Sequence, residues 1–146
     1  MFFFLLLFTL APIGFAGPLG SLYLASSFAL KACGVLVTAG GVAFAIWARH
    51  HLGSNRTGVP SLKVGHTLIS SGPYAIVRHP IYTGILFGMF GLMLVLGTYG
   101  SLFVLILSSA LVWVRIRQEE RLMREEFGEA YQEYKKSVRT IIPWVL

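Results

Sequence analysis

Three long stretches of the 146-residue chain contain no Asp, Glu, Lys or Arg: residues 1–30, 32–48 and 81–114. A helix needs about 20 consecutive apolar residues to cross the hydrocarbon core of a bilayer, and these stretches approach or exceed that length. Charged residues make up only 12% of the chain, whereas soluble domains carry about 25%. The sequence therefore predicts an all-α integral membrane protein that forms a single domain over residues 1–146.

Breaks within the uncharged stretches divide them into about four transmembrane helices. Prolines and glycines between Pro12 and Gly20 interrupt the first stretch, and the sequence GTYG at residues 97–100 interrupts the last. The predicted spans lie near residues 1–16, 24–50, 80–96 and 99–116. Because no Lys or Arg precedes the first apolar run, we predict a retained span there rather than a cleaved signal peptide.

Basic residues concentrate on one side of this four-span arrangement. Residues 49–80 contain Lys and Arg but no Asp or Glu, and more basic residues follow from Arg115 onward. Loops rich in Lys and Arg stay in the cytoplasm, so the sequence predicts a multi-pass protein whose 49–80 loop and C-terminal tail lie in the cytoplasm. We assign the net charge of +6 to contact with anionic membrane lipids rather than with nucleic acid, because the basic residues adjoin apolar spans.

The segment at residues 115–138 has high helix propensity and mixed charge. We therefore expect the fourth span to continue as a cytoplasmic helical extension as far as Phe127-Gly128, where the glycine permits a helix end. A solvated helix with ion pairs such as Arg121 and Glu125 explains most of its charges.

Two short patterns each allow a structural and a functional interpretation. Arg115 and Glu119 are four residues apart and share a helix face, as an ion pair or as ligands for a bound carboxylate and a bound ammonium. The sequence Arg78-His79-Pro80 suits a helix start, because proline is favoured in the first helical turn. A helix N-terminus with two added donors also suits an anion.

Two separated motifs resemble one known family. The sequence HTLISSGPYAIVRHPIYTG, from residue 66, is followed by RIRQEERLMREEFGEAYQEYKKSVRTIIP, from residue 115. Together they resemble the isoprenylcysteine carboxyl methyltransferase and phospholipid methyltransferase superfamily over residues 66–143. The first 50 residues carry no motif that matches.

The resemblance implies that S-adenosylmethionine binds on the cytoplasmic side, in a pocket closed by the C-terminal helical extension. The implied cofactor-binding residues are His66, Thr67, Leu68, Ile69, Tyr74, His79, Pro80, Ile81, Tyr82 and Glu119. The donors at the helix start add Arg78 to this predicted set. Glu119 would meet the methionine ammonium of the cofactor, and Arg115 would face the substrate.

The expected reaction is methyl transfer to a lipophilic acceptor, and a carboxylate such as that of isoprenylcysteine fits Arg115 best. A phospholipid amine would need a base, for which Glu120 is the nearest candidate, and a lipophilic thiol is a third acceptor. An NADPH-dependent enzyme similar to sterol reductases and a non-catalytic membrane scaffold are the remaining alternatives. Because the histidines show no metal-ligand spacing, we expect no metal.

Overall fold

The protein is represented by a computed structural model that describes residues 17–22, 27–53 and 68–142. Its helices are α1 (Phe28–Leu52), α2 (Pro80–Leu96) and α3 (Tyr99–Ser137), and two short 3₁₀ turns lie at Gly17–Gly20 and Gly72–Ala75. The described residues form no β-strand beyond two isolated bridges, so the all-α prediction is confirmed for them.

Two of these helices, α1 and α3, are long and apolar enough to cross a membrane, whereas α2 is apolar but has only 17 residues. The helices predicted near 24–50, 80–96 and 99–116 each correspond to a helix of the structure. The span predicted near 1–16 lies outside the described residues. The total of four transmembrane helices therefore stays a prediction.

Local side-chain chemistry sets the helix starts. The hydroxyl of Ser27 accepts a hydrogen bond from the backbone N–H of Leu30 at 3.2 Å, as expected of an N-cap residue. At the start of α3, Thr98 and Ser101 exchange reciprocal hydrogen bonds between side chain and backbone N–H. Pro80 is the first residue of α2, which confirms the prediction that the Arg78-His79-Pro80 sequence begins a helix.

A kink divides α3 at Gly128. Its φ of 49° and ψ of −120° are not helical, and a positive φ costs glycine little because it has no Cβ. The sequence prediction of a helix end at Phe127-Gly128 is confirmed in that sense, since a second helical segment follows the kink and ends at Ser137.

The contacts divide the described residues into two compact units. The first contains those up to Ala43 together with Gly84–Leu111. In it, α1 and α2 pack backbone against backbone, because a Cβ added to Gly91 would lie 2.5 Å from the carbonyl oxygen of Gly34. Met89 and Val104 form its buried core.

The second unit contains the residues from Phe44 to Thr83 and from Val112 onward. Its core is built around Tyr131, Tyr134 and Val138, against which Leu68, Met123 and Phe127 pack. This unit holds every residue of the candidate site that the structure describes.

Candidate functional site

Glu119 lies at the centre of a polar group in the second unit. The hydroxyl of Tyr82 donates a hydrogen bond to Glu119 Oε1 at 2.6 Å, and Arg115 Nε donates to the same oxygen at 3.0 Å. His79 Nδ1 lies 3.7 Å from Glu119 Oε2, and the His79 ring stacks on that of Tyr82 with centroids 6.0 Å apart. We call His79, Tyr82, Arg115 and Glu119 the Glu119 group.

The Glu119 group is accessible to a ligand from outside. The side chain of Arg115 is 39% exposed and that of Glu119 21%, whereas that of His79 is 9% exposed. The ion pair that the four-residue spacing predicts is therefore present. Because Tyr82 shares the same carboxylate, Arg115 and Glu119 form more than an isolated helix-surface pair.

Tyr74 contributes a further aromatic ring near this group. Burial, together with the negative charge of Glu119, raises the pKa of Tyr74 from 10.0 to about 12. Its hydroxyl therefore keeps its proton at neutral pH and remains able to donate a hydrogen bond. The backbone carbonyl of Tyr74 accepts a hydrogen bond from the hydroxyl of Tyr134, which ties the loop to the C-terminal part of α3.

His51 holds the Tyr74 loop from the end of α1. Its Nε2 lies 2.9 Å from the hydroxyl of Ser71, and its ring stacks on that of Tyr74 with centroids 6.5 Å apart. The ring covers Gly72, where an added Cβ would lie 2.6 Å from His51 Cε1 and where φ is +60°. No sequence motif contains His51, and its position in the last turn of α1 is the only signal that the sequence offers.

Arg78 contacts a second and separate set of partners. Its Nε and Nη2 both donate to Glu120 Oε1, at 3.0 and 2.7 Å. Its Nη1 donates to the backbone carbonyls of Lys135 and Val138, and Nη2 also donates to the hydroxyl of Thr140. These contacts use all five N–H donors of the guanidinium, so Arg78 has none left for a ligand.

Glu120 is buried and held by two cations. Its side chain is 11% exposed, that of Arg78 is 7% exposed, and Lys135 Nζ lies 3.1 Å from Glu120 Oε2. We call Arg78, Glu120 and Lys135 the Arg78 clamp. From the sequence we expected Arg78 to bind the cofactor and Glu120 to act as a base. In the structure these two side chains bind each other, and Glu120 also binds Lys135. A carboxylate between two cations is stabilised in its ionised form and is a weak base.

The Arg78 clamp also fixes the end of the described chain. The backbone N–H of Arg78 donates to the carbonyl of Arg139 at 2.7 Å, and that of His79 donates to the carbonyl of Thr140 at 3.1 Å. Thr83 in the first turn of α2 donates its hydroxyl to the carbonyl of Ile141 at 2.8 Å. The segment after α3 is thus bound along the start of α2.

His79 lies between the two sets of residues. Its Nε2 is 3.7 Å from Glu120 Oε1, which exceeds hydrogen-bond distance. This buried nitrogen has no hydrogen-bond partner among the described residues. Buried polar atoms of this kind are rare in native proteins, and the nearby charged group here is the carboxylate of Glu120 in the Arg78 clamp.

The other predicted site residues vary in position. Pro80 is fully buried at the start of α2, and Ile81 next to it is partly buried. Leu68 packs on Tyr131 and Tyr134, and Ile69 is partly buried. His66 and Thr67 lie outside the described residues, so their roles stay predictions. Within residues 17–22, 27–53 and 68–142, no group of three or more His, Cys, Asp or Glu side chains could hold a metal ion.

Comparison with known proteins identifies the family of the chain. The sequence model of the phospholipid methyltransferase family matches residues 30–130, more than two thirds of the chain. The chain is 36% identical over 84 residues to protein-S-isoprenylcysteine O-methyltransferase of Schizosaccharomyces pombe. The aligned part covers 55% of this chain and 34% of that protein. It is 35% identical over 71 residues to methanethiol S-methyltransferase 1 of Bradyrhizobium diazoefficiens. This alignment covers 49% of this chain and 24% of that protein.

A solved structure shows a related fold. The structure of the eukaryotic intramembrane Ras methyltransferase ICMT (isoprenylcysteine carboxyl methyltransferase) matches with a TM-score of 0.73 and 28% identity, over 80% of this chain and 43% of that chain. The chain thus spans less than half the length of these relatives.

Two candidate membrane helices, together with the intramembrane relative, support an integral membrane location. The family match also agrees with the resemblance carried by the two sequence motifs. The chain belongs to the phospholipid methyltransferase family, within the superfamily that includes the isoprenylcysteine carboxyl methyltransferases.

Proposed function

We propose that the protein transfers a methyl group from S-adenosylmethionine to a lipophilic acceptor, most favourably the carboxylate of an isoprenylcysteine-like substrate. The observation that carries this proposal is Glu119, whose carboxylate is shared by Tyr82 and Arg115 at a partly exposed position. The relatives named for methyl transfer to an isoprenylcysteine carboxyl group and to a thiol support the reaction class.

The residues of the Glu119 group suit the chemistry of the cofactor. S-adenosylmethionine supplies an electrophilic methyl group on a sulfonium, and it also carries an ammonium and a carboxylate. Glu119 is the accessible acid for the ammonium, and the aromatic rings of Tyr74 and Tyr82 suit a cation. His79 is a further polar residue at this position, because its Nδ1 lies 3.7 Å from Glu119 Oε2. His66, Thr67, Leu68 and Ile69 stay proposed members of the same pocket.

Arg115 is proposed to orient the acceptor. It is the most exposed charged residue of the Glu119 group, so an acceptor from the bilayer reaches it first. A guanidinium can hold a carboxylate through two parallel hydrogen bonds and thereby aim one oxygen at the methyl group. The acceptor carboxylate is already ionised at neutral pH, so this reaction needs no base from the protein.

Arg78 and Glu120 are proposed to act as positioning residues. The Arg78 clamp connects α3 to the turn that carries His79, and it leaves neither side chain free for a ligand. This arrangement disfavours the amine acceptor, because Glu120 was the candidate base for it. A thiol acceptor is the second candidate, favoured by the similarity to methanethiol S-methyltransferase 1.

The variant Arg115→Lys tests the proposed role of Arg115. Lysine keeps the charge but loses the forked donor geometry. We expect nearly unchanged S-adenosylmethionine affinity but a roughly tenfold to hundredfold lower rate of methyl transfer to an S-farnesylcysteine derivative with a free carboxylate. Calorimetry measures the affinity. The rate is measured as formation of the radiolabelled methyl ester from S-adenosylmethionine with a labelled methyl group.

Two controls accompany this experiment. Lys136→Arg makes the reverse exchange between the same two residue types at an exposed position of α3. It should change neither the cofactor affinity nor the rate of methyl transfer. The carboxamide of the same farnesylcysteine derivative should not be methylated by either protein. Full turnover by Arg115→Lys would mean that Arg115 only orders the helix, and no methylation of any acceptor by the unaltered protein would reject the proposed function.

A further inference from the structure

A polar cavity of about 280 Å³ lies beside α3 in the second unit. Its walls come from α3, from the loop before α2 and from the segment after α3. The lining residues are Arg78, Trp113, Ile116, Arg117, Glu120, Arg124, Lys135 and Thr140. Four of these side chains are basic and one is acidic, so the cavity has an excess of positive charge.

This cavity is separate from the Glu119 group. A helix turns about 100° per residue, so Trp113, Arg117, Glu120 and Arg124 share one face of α3. Arg115 and Glu119 lie on the opposite side of the helix by the same rule. A ligand in the cavity would therefore contact a different face of α3 from the one that carries Arg115 and Glu119.

Two arginines of the cavity have no acidic partner. Arg117 and Arg124 are exposed, and neither forms an ion pair within the described part of the chain. The one acid present, Glu120, is already paired with Arg78 and Lys135. The positive charge of Arg117 and Arg124 is thus left for an external anion.

The donor geometry suits a phosphate group. The guanidinium carbon of Arg117 lies 4.8 Å from the centroid of the Trp113 ring, so one face of the guanidinium is covered by the indole. No hydrogen bond within the described part of the chain uses the N–H donors of Arg117, and a guanidinium can bind phosphate oxygens in pairs. Lys135 has three N–H donors and uses one on Glu120 Oε2.

The position along the sequence indicates a lipid as the source of the phosphate. The uncharged stretch 81–114 ends beside Trp113, and tryptophan is enriched at the boundary between hydrocarbon and headgroups. Arg117 follows one helical turn later, at about 6 Å along the axis, which is the depth of a headgroup layer. We propose that this cavity binds the phosphate of an anionic phospholipid, as a site distinct from that of the methyl acceptor.

The test measures lipid binding by the full chain purified in detergent. The probes are phosphatidylglycerol, phosphatidylcholine with the same acyl chains, and inorganic phosphate. We expect phosphatidylglycerol to raise the unfolding temperature and to stay bound in native mass spectrometry, and the other two probes to do neither. In the double variant Arg117→Gln/Arg124→Gln the affinity for phosphatidylglycerol should fall by about 25-fold, at about fivefold for each arginine.

A matched double variant distinguishes a site from general attraction. Arg121→Gln/Lys136→Gln removes the same charge from exposed positions of α3 outside the cavity. It should keep nearly the affinity of the unaltered protein. Equal losses in the two double variants, or equal binding of phosphatidylcholine and phosphatidylglycerol, would overturn the proposal. Protection by inorganic phosphate equal to that by phosphatidylglycerol would overturn the lipid assignment.

The proposal is independent of the methyl-transfer function. Arg117 and Arg124 contact neither Glu119 nor Tyr82 in the described interactions. The Arg117→Gln/Arg124→Gln variant should therefore bind S-adenosylmethionine with unchanged affinity, which also shows that it is folded. A parallel loss of both ligands would place the two arginines in the cofactor site and reject a separate lipid site.

Discussion

Glu119 and Glu120 are adjacent carboxylates with different partners. Glu119 accepts hydrogen bonds from Tyr82 and Arg115 and is 21% exposed, whereas Glu120 is held by Arg78 and Lys135 and is 11% exposed. Neighbouring helix residues point about 100° apart, so one carboxylate can face a ligand while the other faces the protein interior. The two adjacent acids thus have different environments, in agreement with the different roles proposed for them.

Replacing each acid by its amide separates these functions. We expect Glu119→Gln to weaken S-adenosylmethionine binding by about 1.5–3 kcal/mol, roughly tenfold to a hundredfold, with little change in thermal unfolding. Glu120→Gln should instead cost about 3 kcal/mol of stability, because Arg78 and Lys135 lose their buried counter-charge. Calorimetry and thermal unfolding in detergent measure both quantities for each variant.

His79→Ala should act in the same direction as Glu119→Gln on cofactor affinity. The exposed acid Glu125 provides the control, since Glu125→Gln should alter neither affinity nor stability. An unchanged cofactor affinity in both Glu119→Gln and His79→Ala would show that the pocket lies elsewhere.

Close packing of glycines joins α1 and α2 in the first unit. A Cβ added to Gly41 would lie 2.5 Å from the backbone nitrogen of Gly88 and 2.6 Å from the carbonyl oxygen of Gly84. The hydroxyl of Thr38 adds a hydrogen bond to the carbonyl of Gly88 at 3.2 Å. In a membrane, where helices gain little from hydrophobic burial, such close backbone contact is a main source of association.

Two neighbouring glycines of α1 give a matched test of this packing. Gly41→Ala forces backbone atoms of α2 to move and should cost about 1–3 kcal/mol of stability. Gly40→Ala meets no atom within 4 Å and should be neutral or stabilising by about 0.5–1 kcal/mol, because alanine favours helix. Thermal unfolding of the two variants measures the difference, and an equal effect would mean that α1 and α2 do not pack closely at Gly41.

Hydropathy and local turn chemistry predicted most of the helix boundaries in the described residues. The start of α2 at Pro80, its end before GTYG and the break of α3 at Gly128 all depend on neighbouring residues. Pairs four residues apart, such as Arg115 and Glu119, were predicted, but the partners of side chains distant in sequence could not be. Tyr82 and Glu119 are 37 residues apart and Arg78 and Glu120 are 42 apart, so only the packed fold determines which acid each contacts.

His51 and the Arg78 clamp illustrate the same difficulty. The motif predicted that Arg78 binds a ligand, because an arginine at a helix start is a plausible anion donor. In the structure, all of its donors are taken by Glu120, by the backbone carbonyls of Lys135 and Val138 and by the hydroxyl of Thr140. His51 belongs to no sequence motif. Its contact with Tyr74 forms because the loop that carries Tyr74 returns to the end of α1.

The membrane topology of the whole chain can be predicted from the contacts within each unit and from the distribution of Lys and Arg. Within the first unit, Leu22 pairs with Thr98, so the turns at these residues lie at the same end of their helices. Within the second unit, the loop before α2 binds the segment after α3 through Arg78 and Arg139. The excess of Lys and Arg in residues 49–80 predicts that this loop, the C-terminal tail and both chain termini face the cytoplasm.

Single cysteines in a Cys33→Ser background measure this topology. A membrane-impermeant maleimide added to intact cells should label Leu19→Cys, whereas Ser70→Cys and Gln132→Cys should react only after the membrane is permeabilised. All three positions are exposed, so access depends on the side of the membrane rather than on burial. Labelling of Ser70→Cys and Gln132→Cys from outside would invert the orientation and exclude a cytoplasmic cofactor. If only one of Ser70→Cys and Gln132→Cys were labelled from outside, the two positions would lie on opposite sides of the membrane. That result would contradict the prediction that both α2 and α3 cross the bilayer between them.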